Sequence, residues 1–213
     1  MAMRQEKSTA APFVPKTHKL SILREAMPAC RGCDLYKYAT QVVPGVGAMR
    51  AKLLLVGEQP GNQEDLQGKP FVGPAGMLLR KAMDELQIDA KKVFITNAVK
   101  HFKFTQRGNR RLNENPRMSE ISACRPWLLA ELDAVKPEIV LCLGASAAKS
   151  LLGGTFALMK ARGTIQRSPY FERVFATVHP SAILRARDEQ GRAGLYQFLK
   201  DDLALAYETS LKS

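Results

Sequence analysis

GEQPGNQEDLQGKPFVGPAG, residues 57–76, is the stretch on which the rest of the chain turns. It follows an apolar run, Leu53-Leu54-Leu55-Val56, that reads as a buried strand. It leads into an amphipathic helix expected over residues 75–87, where Met77, Leu78, Ala82 and Leu86 give a broad apolar face. Five glycines and three prolines lie between, denser than a plain connection needs. Such a loop lets backbone N–H groups approach a ligand closely, because glycine has no Cβ to clash. Turn chemistry alone does not account for the Glu58, Gln59, Asp65 and Phe71 side chains set into it.

Working outward, three more short apolar runs read as buried strands, at residues 93–95, 138–143 and 173–178. The first ends at Thr96-Asn97, the second at Gly144, and the third at His179-Pro180-Ser181. Helices are expected over residues 18–27, from 119 to before 136, and over 145–152, 182–187 and 194–208. Residues 41–47 read as a loop, and 153–166 as loop and strand. The alternation of strand and helix, without internal repeats, predicts a single three-layer α/β/α domain with a central, mainly parallel sheet over residues 17–213. A flexible tail, residues 1–16, precedes it. In such sheets ligands bind at the carboxyl ends of the strands, where Glu58, Asn97 and His179 fall.

The 213 residues suffice for one domain with a full core, and a hydrophobic content of 46% indicates a soluble globular protein. A formal net charge of +12 suggests a polyanionic partner, nucleic acid first. Residues 98–116 fit that partner. Lys100, Lys103, Arg107, Arg110 and Arg111 interleave there with Phe102 and Phe104, in what reads as a flexible loop marked by Gly108. A plain solvated loop is the alternative. No run of apolar residues is long enough to span a membrane, and no signal peptide is evident, so a cytoplasmic location is expected. Disulfides are rare there, which leaves the four cysteines as metal ligands or core residues. Cys30-Arg31-Gly32-Cys33 has three readings: a redox pair, a zinc site or an iron–sulfur site. It follows a helix where a redox pair normally follows a strand, which favours metal or cluster binding with two ligands from elsewhere.

Four pieces coincide in order: the CxxC, GEQPG…GKPFVGPAG, TNAVK at residues 96–100 and HPSAILR at residues 179–185. Together, over residues 30–202, they resemble the uracil-DNA glycosylase superfamily in its iron–sulfur branch, family 4. Gln59 and the long basic insert after residue 104 resemble the UdgX subgroup in particular. The resemblance implies excision of uracil from DNA by cleavage of its N-glycosidic bond, on a base flipped out of the stack. It implies that Phe71 stacks on the base and that Asn97 tells uracil from cytosine. His179 then donates to uracil O2 as charge develops, and Glu58 directs water and offsets the charge on the sugar. Backbone groups around Gln59 and Gly61 complete the pocket, with Asp65 among the substrate-binding positions. Lys100, Lys103, Arg110, Arg111, Ser181 and Arg185 are implied to face DNA, with Leu184 as a wedge at the base stack. The expected partner is uracil-containing DNA, without a membrane, and the protein is expected to be a monomer.

Two departures from the family pattern matter. His101 stands where a Cys normally follows the TNxVK segment, so the implied ligand set is Cys30, Cys33, His101 and Cys124. A structural 4Fe–4S cluster is expected there, with zinc as the alternative. Cys142, in an apolar strand, is assigned to the core. In UdgX members a KRRIH loop carries a His that attacks the sugar and leaves the protein bound to DNA. Here the aligned residues, 109–113, read NRRLN, with Asn113 at the His position. An amide is a poor nucleophile, so hydrolysis with turnover is expected in place of the covalent bond. Glu114 is an alternative nucleophile. A uracil- or abasic-DNA-binding protein, with weak activity or covalent trapping, is the alternative function. A nucleotide-binding α/β protein is a third, weakened because the glycine loop lacks the Lys-Ser/Thr ending of a Walker motif.

Overall fold

The structure, a computed structural model, describes residues 8–212. In chain order its elements begin with α1 (Leu20–Ala26), β1 (Val46–Gly47), β2 (Leu53–Gly57), α2 (Asn62–Gln67), α3 (Pro74–Glu85) and β3 (Val93–Asn97). Next come β4 (Phe104–Arg107), β5 (Arg110–Asn113), α4 (Met118–Val135), β6 (Ile139–Leu143) and α5 (Ala145–Leu152). The chain closes with α6 (Leu158–Ala161), β7 (Val174–Thr177), α7 (Pro180–Leu184) and α8 (Glu189–Leu211).

The main sheet has the order β1-β3-β2-β6-β7. All its pairings are parallel except that of β1 with β3. The apolar runs that predicted strands are buried on both faces, as parallel strands between helix layers must be. Their two-residue period splits them cleanly. Leu54, Val56, Phe94, Val140, Cys142 and Ala176 face one side, under Leu20 and Leu23 of α1, Trp127 and Leu128 of α4 and Leu151 of α5. Leu53, Leu55, Val93, Leu141, Leu143 and Phe175 face the other, against Leu79 and Met83 of α3, Ile183 of α7 and Leu199 and Leu203 of α8. The three-layer α/β/α arrangement follows directly. Each fully buried Leu, Ile or Phe contributes about 1.5–3 kcal/mol relative to exposure.

The irregular segments differ from expectation. Residues 98–116 are not simply a flexible loop but carry a hairpin, in which β4 and β5 pair antiparallel from Phe104↔Asn113 to Arg107↔Arg110. Gly108, at φ 54°, and Asn109 make its two-residue turn. Arg111 ties the hairpin down, pairing with Asp65 at 2.6 Å and lying over the Phe102 and Phe104 rings at 5.5 and 5.1 Å. The glycine-rich loop holds a short helix, α2. Residues 153–166 carry α6 and a single bridge, Gln166↔Val174, in place of a strand. Residues 41–47 include the edge strand β1.

The first part of the expected tail, residues 1–7, lies outside the described residues. Farther along, Ala10 is buried and its N–H donates to the Ala123 carbonyl of α4 at 2.8 Å. Among the described residues no helix is long and apolar enough to cross a membrane.

Candidate active site

β2 and β3 run parallel and end level, Gly57 opposite Asn97, so Glu58 and Asn97 leave the sheet side by side. β7 ends two residues before His179 on the same edge. These strand ends open into a cavity of about 740 Å³, lined among others by Glu58, Gln59, Phe71, Asn97, Asn113 and His179. The glycine loop, the TNAVK segment, the hairpin and the HPSAILR segment thus meet at one place, the sheet edge where α/β folds bind ligands.

Phe71 forms a wall of that cavity, with its backbone at φ 55°, a region that non-glycine residues rarely occupy. Arg80 holds it, donating to the Phe71 carbonyl at 2.7 Å. Gly76 makes room, since a Cβ there would run into that same carbonyl. A Cβ at Gly57 would likewise meet the Asn97 amide and the Phe71 ring. The Phe71 ring lies 6.0 Å from the His179 ring. Buried Glu64 staples the loop, accepting from the N–H groups of Gly61 at 3.0 Å and Gly73 at 2.8 Å, which head α2 and α3.

The His179 ring has a defined tautomer. The Ser181 backbone N–H donates to Nδ1 at 3.1 Å, and the Ser181 hydroxyl lies 2.7 Å from the same nitrogen. With Nδ1 accepting, the proton of the neutral ring sits on Nε2. Burial, helped by the Arg185 charge, lowers the His179 pKa to about 4, so the ring is neutral at physiological pH. Burial pushes the Glu58 carboxyl above its ordinary value of 4.5, against the opposing effects of a Ser146 hydrogen bond and the Arg185 charge.

Gln59 joins the loop to the hairpin. Its Nε2 donates to Asn113 Oδ1 at 2.9 Å, to the Glu114 carbonyl at 2.9 Å and to the Lys103 carbonyl at 3.2 Å. Its Oε1 accepts from the Lys103 N–H at 3.1 Å. Gly61, Ser181, Leu184 and Arg185 also line the cavity, with Leu184 and Arg185 exposed at its rim.

Three expectations need correction. Asp65 is fully buried and does not line the cavity; it accepts from the Thr40 N–H and pairs with Arg111, so its role lies in anchoring the hairpin. Lys100 does not face solvent. Its ammonium is buried 2.7 Å from Glu131, out of reach of any phosphate. Of the other basic positions, Arg110 is exposed, whereas Lys103 pairs with Glu120 and Glu114. The third correction concerns the metal. Cys30, Cys33, His101 and Cys124 line one small cavity, but its volume of about 10 Å³ is at the lower limit for a single water. Among the described residues no group of three or more His, Cys, Asp or Glu side chains could hold a metal ion, and all four cysteines are free. The Cys124 Sγ instead accepts from the Lys100 N–H at 3.3 Å, and burial lifts its pKa to about 12. The residues present do not fit the expected 4Fe–4S or zinc site. Cys142 is a buried core residue.

The cavity also includes residues that the sequence had not singled out. Ser146, Leu158 and Met159 line it, and Glu64 braces it. Ser146 lies three residues beyond the end of β6, a polar group at a strand's carboxyl end like the others, so a signal for it existed. Met159 carries no such signal.

The model of the Uracil DNA glycosylase superfamily matches residues 44–202. The type-4 uracil-DNA glycosylase of Sulfurisphaera tokodaii is 38% identical over 173 residues, covering 78% of this chain and 76% of that protein. That of Archaeoglobus fulgidus is 36% identical over 170 residues, covering 76% of this chain and 81% of that protein. That of Thermotoga maritima is 35% identical over 174 residues, covering 81% and 87%. The chain belongs to the uracil DNA glycosylase superfamily and, within it, to the type-4 uracil-DNA glycosylases.

Proposed function

We propose that the protein removes uracil from DNA by hydrolysis with turnover, and that it is a UdgX-like member whose covalent histidine is replaced by Asn113. The observation that carries this is the convergence of Glu58, Phe71, Asn97 and His179 on one cavity. Uracil leaves the stack, at a cost of a few kcal/mol, and enters against the Phe71 ring. The Asn97 side chain accepts from N3–H and donates to O4, a pattern that cytosine cannot satisfy. The bond between the sugar C1′ and uracil N1 breaks, and the electron pair leaves with the base. Charge that develops on O2 is met by His179 Nε2–H, an uncharged donor already oriented by Ser181. Water adds to C1′ and its proton passes to the Glu58 carboxylate. The products are an abasic site and uracil, which departs as its N1 anion and is protonated as Glu58 returns its proton to solvent. Leu184 enters the gap in the stack, and Arg185, Ser181 and Arg110 approach the DNA backbone.

Single-stranded oligonucleotides carrying one uracil, cytosine or thymine, followed by alkaline strand scission, test this. Scission is expected for uracil and not for cytosine, and Asn97→Ala is expected to slow it by about 10²-fold, as loss of a well-placed polar contact does. Equal scission at cytosine, or full activity of Asn97→Ala, would overturn the assignment.

A further inference from the structure

Lys100 and Glu131 form a buried ion pair behind the cavity, and neither lines it. All three hydrogens of the Lys100 ammonium find acceptors: Thr96 Oγ1 at 2.6 Å, the Asn97 carbonyl at 2.7 Å and Glu131 Oε2 at 2.7 Å. The Thr96 hydroxyl donates on to Glu131 Oε2 at 2.6 Å, and Glu131 Oε1 takes the Gly45 N–H at 2.8 Å. Two of the three acceptors therefore belong to the residues that end β3. Beyond Asn97 the chain bends without regular structure, and the Val43 N–H donates to the Lys100 carbonyl at 2.8 Å. The turn that follows also supports the neighbouring loop. Ala98 N–H donates to the Gly57 carbonyl at 2.8 Å and Val99 N–H to the Glu58 carbonyl at 3.0 Å.

A buried ion pair is weak evidence for stability, since apolar residues of like volume often serve as well. A pair aimed at the carbonyl of a substrate-reading residue calls for another account. We infer that Lys100 and Glu131 are positioning residues, which fix the turn at 97–100 and through it the relative placement of Asn97 and Glu58. This rests on the function proposed above for Asn97 and Glu58.

The test is a coupling measurement. Lys100→Met with Glu131→Leu removes both charges together and avoids an unpaired one. In the otherwise native protein this double change is expected to lower kcat for uracil release by about 10-fold, in the range of lost alignment, with little change in KM. In the Asn97→Ala background the same change is expected to lower kcat by a smaller factor than in the native protein, because the part of the loss that runs through Asn97 is already gone. Amide hydrogen exchange over residues 97–101 is expected to accelerate, while that of β2 stays slow. An equal loss in both backgrounds, or unchanged exchange at 97–101, overturns the inference. Should the double variant fail to fold, Thr96→Val, which removes only the bridging hydroxyl, carries the same kinetic and exchange measurements. If the native protein releases no uracil, the proposed function falls. Exchange at 97–101 then still decides whether the pair holds the turn.

Discussion

Glu58→Gln is expected to lower the single-turnover rate of uracil release by about 10²–10⁴-fold, the usual contribution of a positioned acid or base. The shape is nearly unchanged, so the loss reports the carboxylate. The same variant is expected to be more stable than the native protein at neutral pH. Burial raises the Glu58 pKa above 4.5, so the folded state holds that proton more tightly than the unfolded chain does. Stability therefore falls as pH rises from about 4.5 through the raised folded value, and above it the full cost of a buried carboxylate is present. Glutamine removes that cost. Thermal melts at pH 8 should show Glu58→Gln unfolding at higher temperature than the native protein, with the gap closing near pH 4. A variant that is less stable at both pH values, or as active as the native protein, would contradict the role given to Glu58.

His179→Ala is expected to lower kcat by about 10²–10³-fold, the effect of removing one donor from a site of developing negative charge. KM should change far less, because the hydrogen bond strengthens only as the base departs. The pH profile gives an independent check. His179 titrates at about 4, so it stays a neutral Nε2–H donor across pH 5–8 and contributes no limb there. The native rate should rise with pH through the Glu58 ionisation alone. A falling limb between pH 6 and 7, lost in His179→Ala, would mean that the charged imidazolium is the active form.

Much of this was legible in the sequence, for identifiable reasons. The strands of the main sheet that bury both faces announce themselves as apolar runs, and the site residues sit at their carboxyl ends, so Glu58, Asn97 and His179 were found together. The hairpin was partly legible: the Gly108-Asn109 pair between two four-residue segments is a two-residue turn signal, masked by the basic, polar composition around it. Lys100 and Asp65 depart from expectation because local sequence does not reveal burial. The charge that lets Lys100 go inward is Glu131, 31 residues later on α4. Asp65 goes inward because Arg111 reaches back over 46 residues. The cysteines show the same limit. Cys30, Cys33 and Cys124 do come near one another, but the space between them is set by packing that spacing alone cannot give.

The central claim, hydrolysis with turnover in place of capture, is tested most directly on one denaturing gel. The protein is incubated with a tenfold excess of single-uracil single-stranded DNA, and samples are run with and without alkali. The expected result is abasic product exceeding the protein in amount, with no slow-migrating protein–DNA band. Product that stops at one equivalent, with a persistent band that survives denaturation, would show that the chain traps its DNA despite carrying Asn113, and would contradict the account.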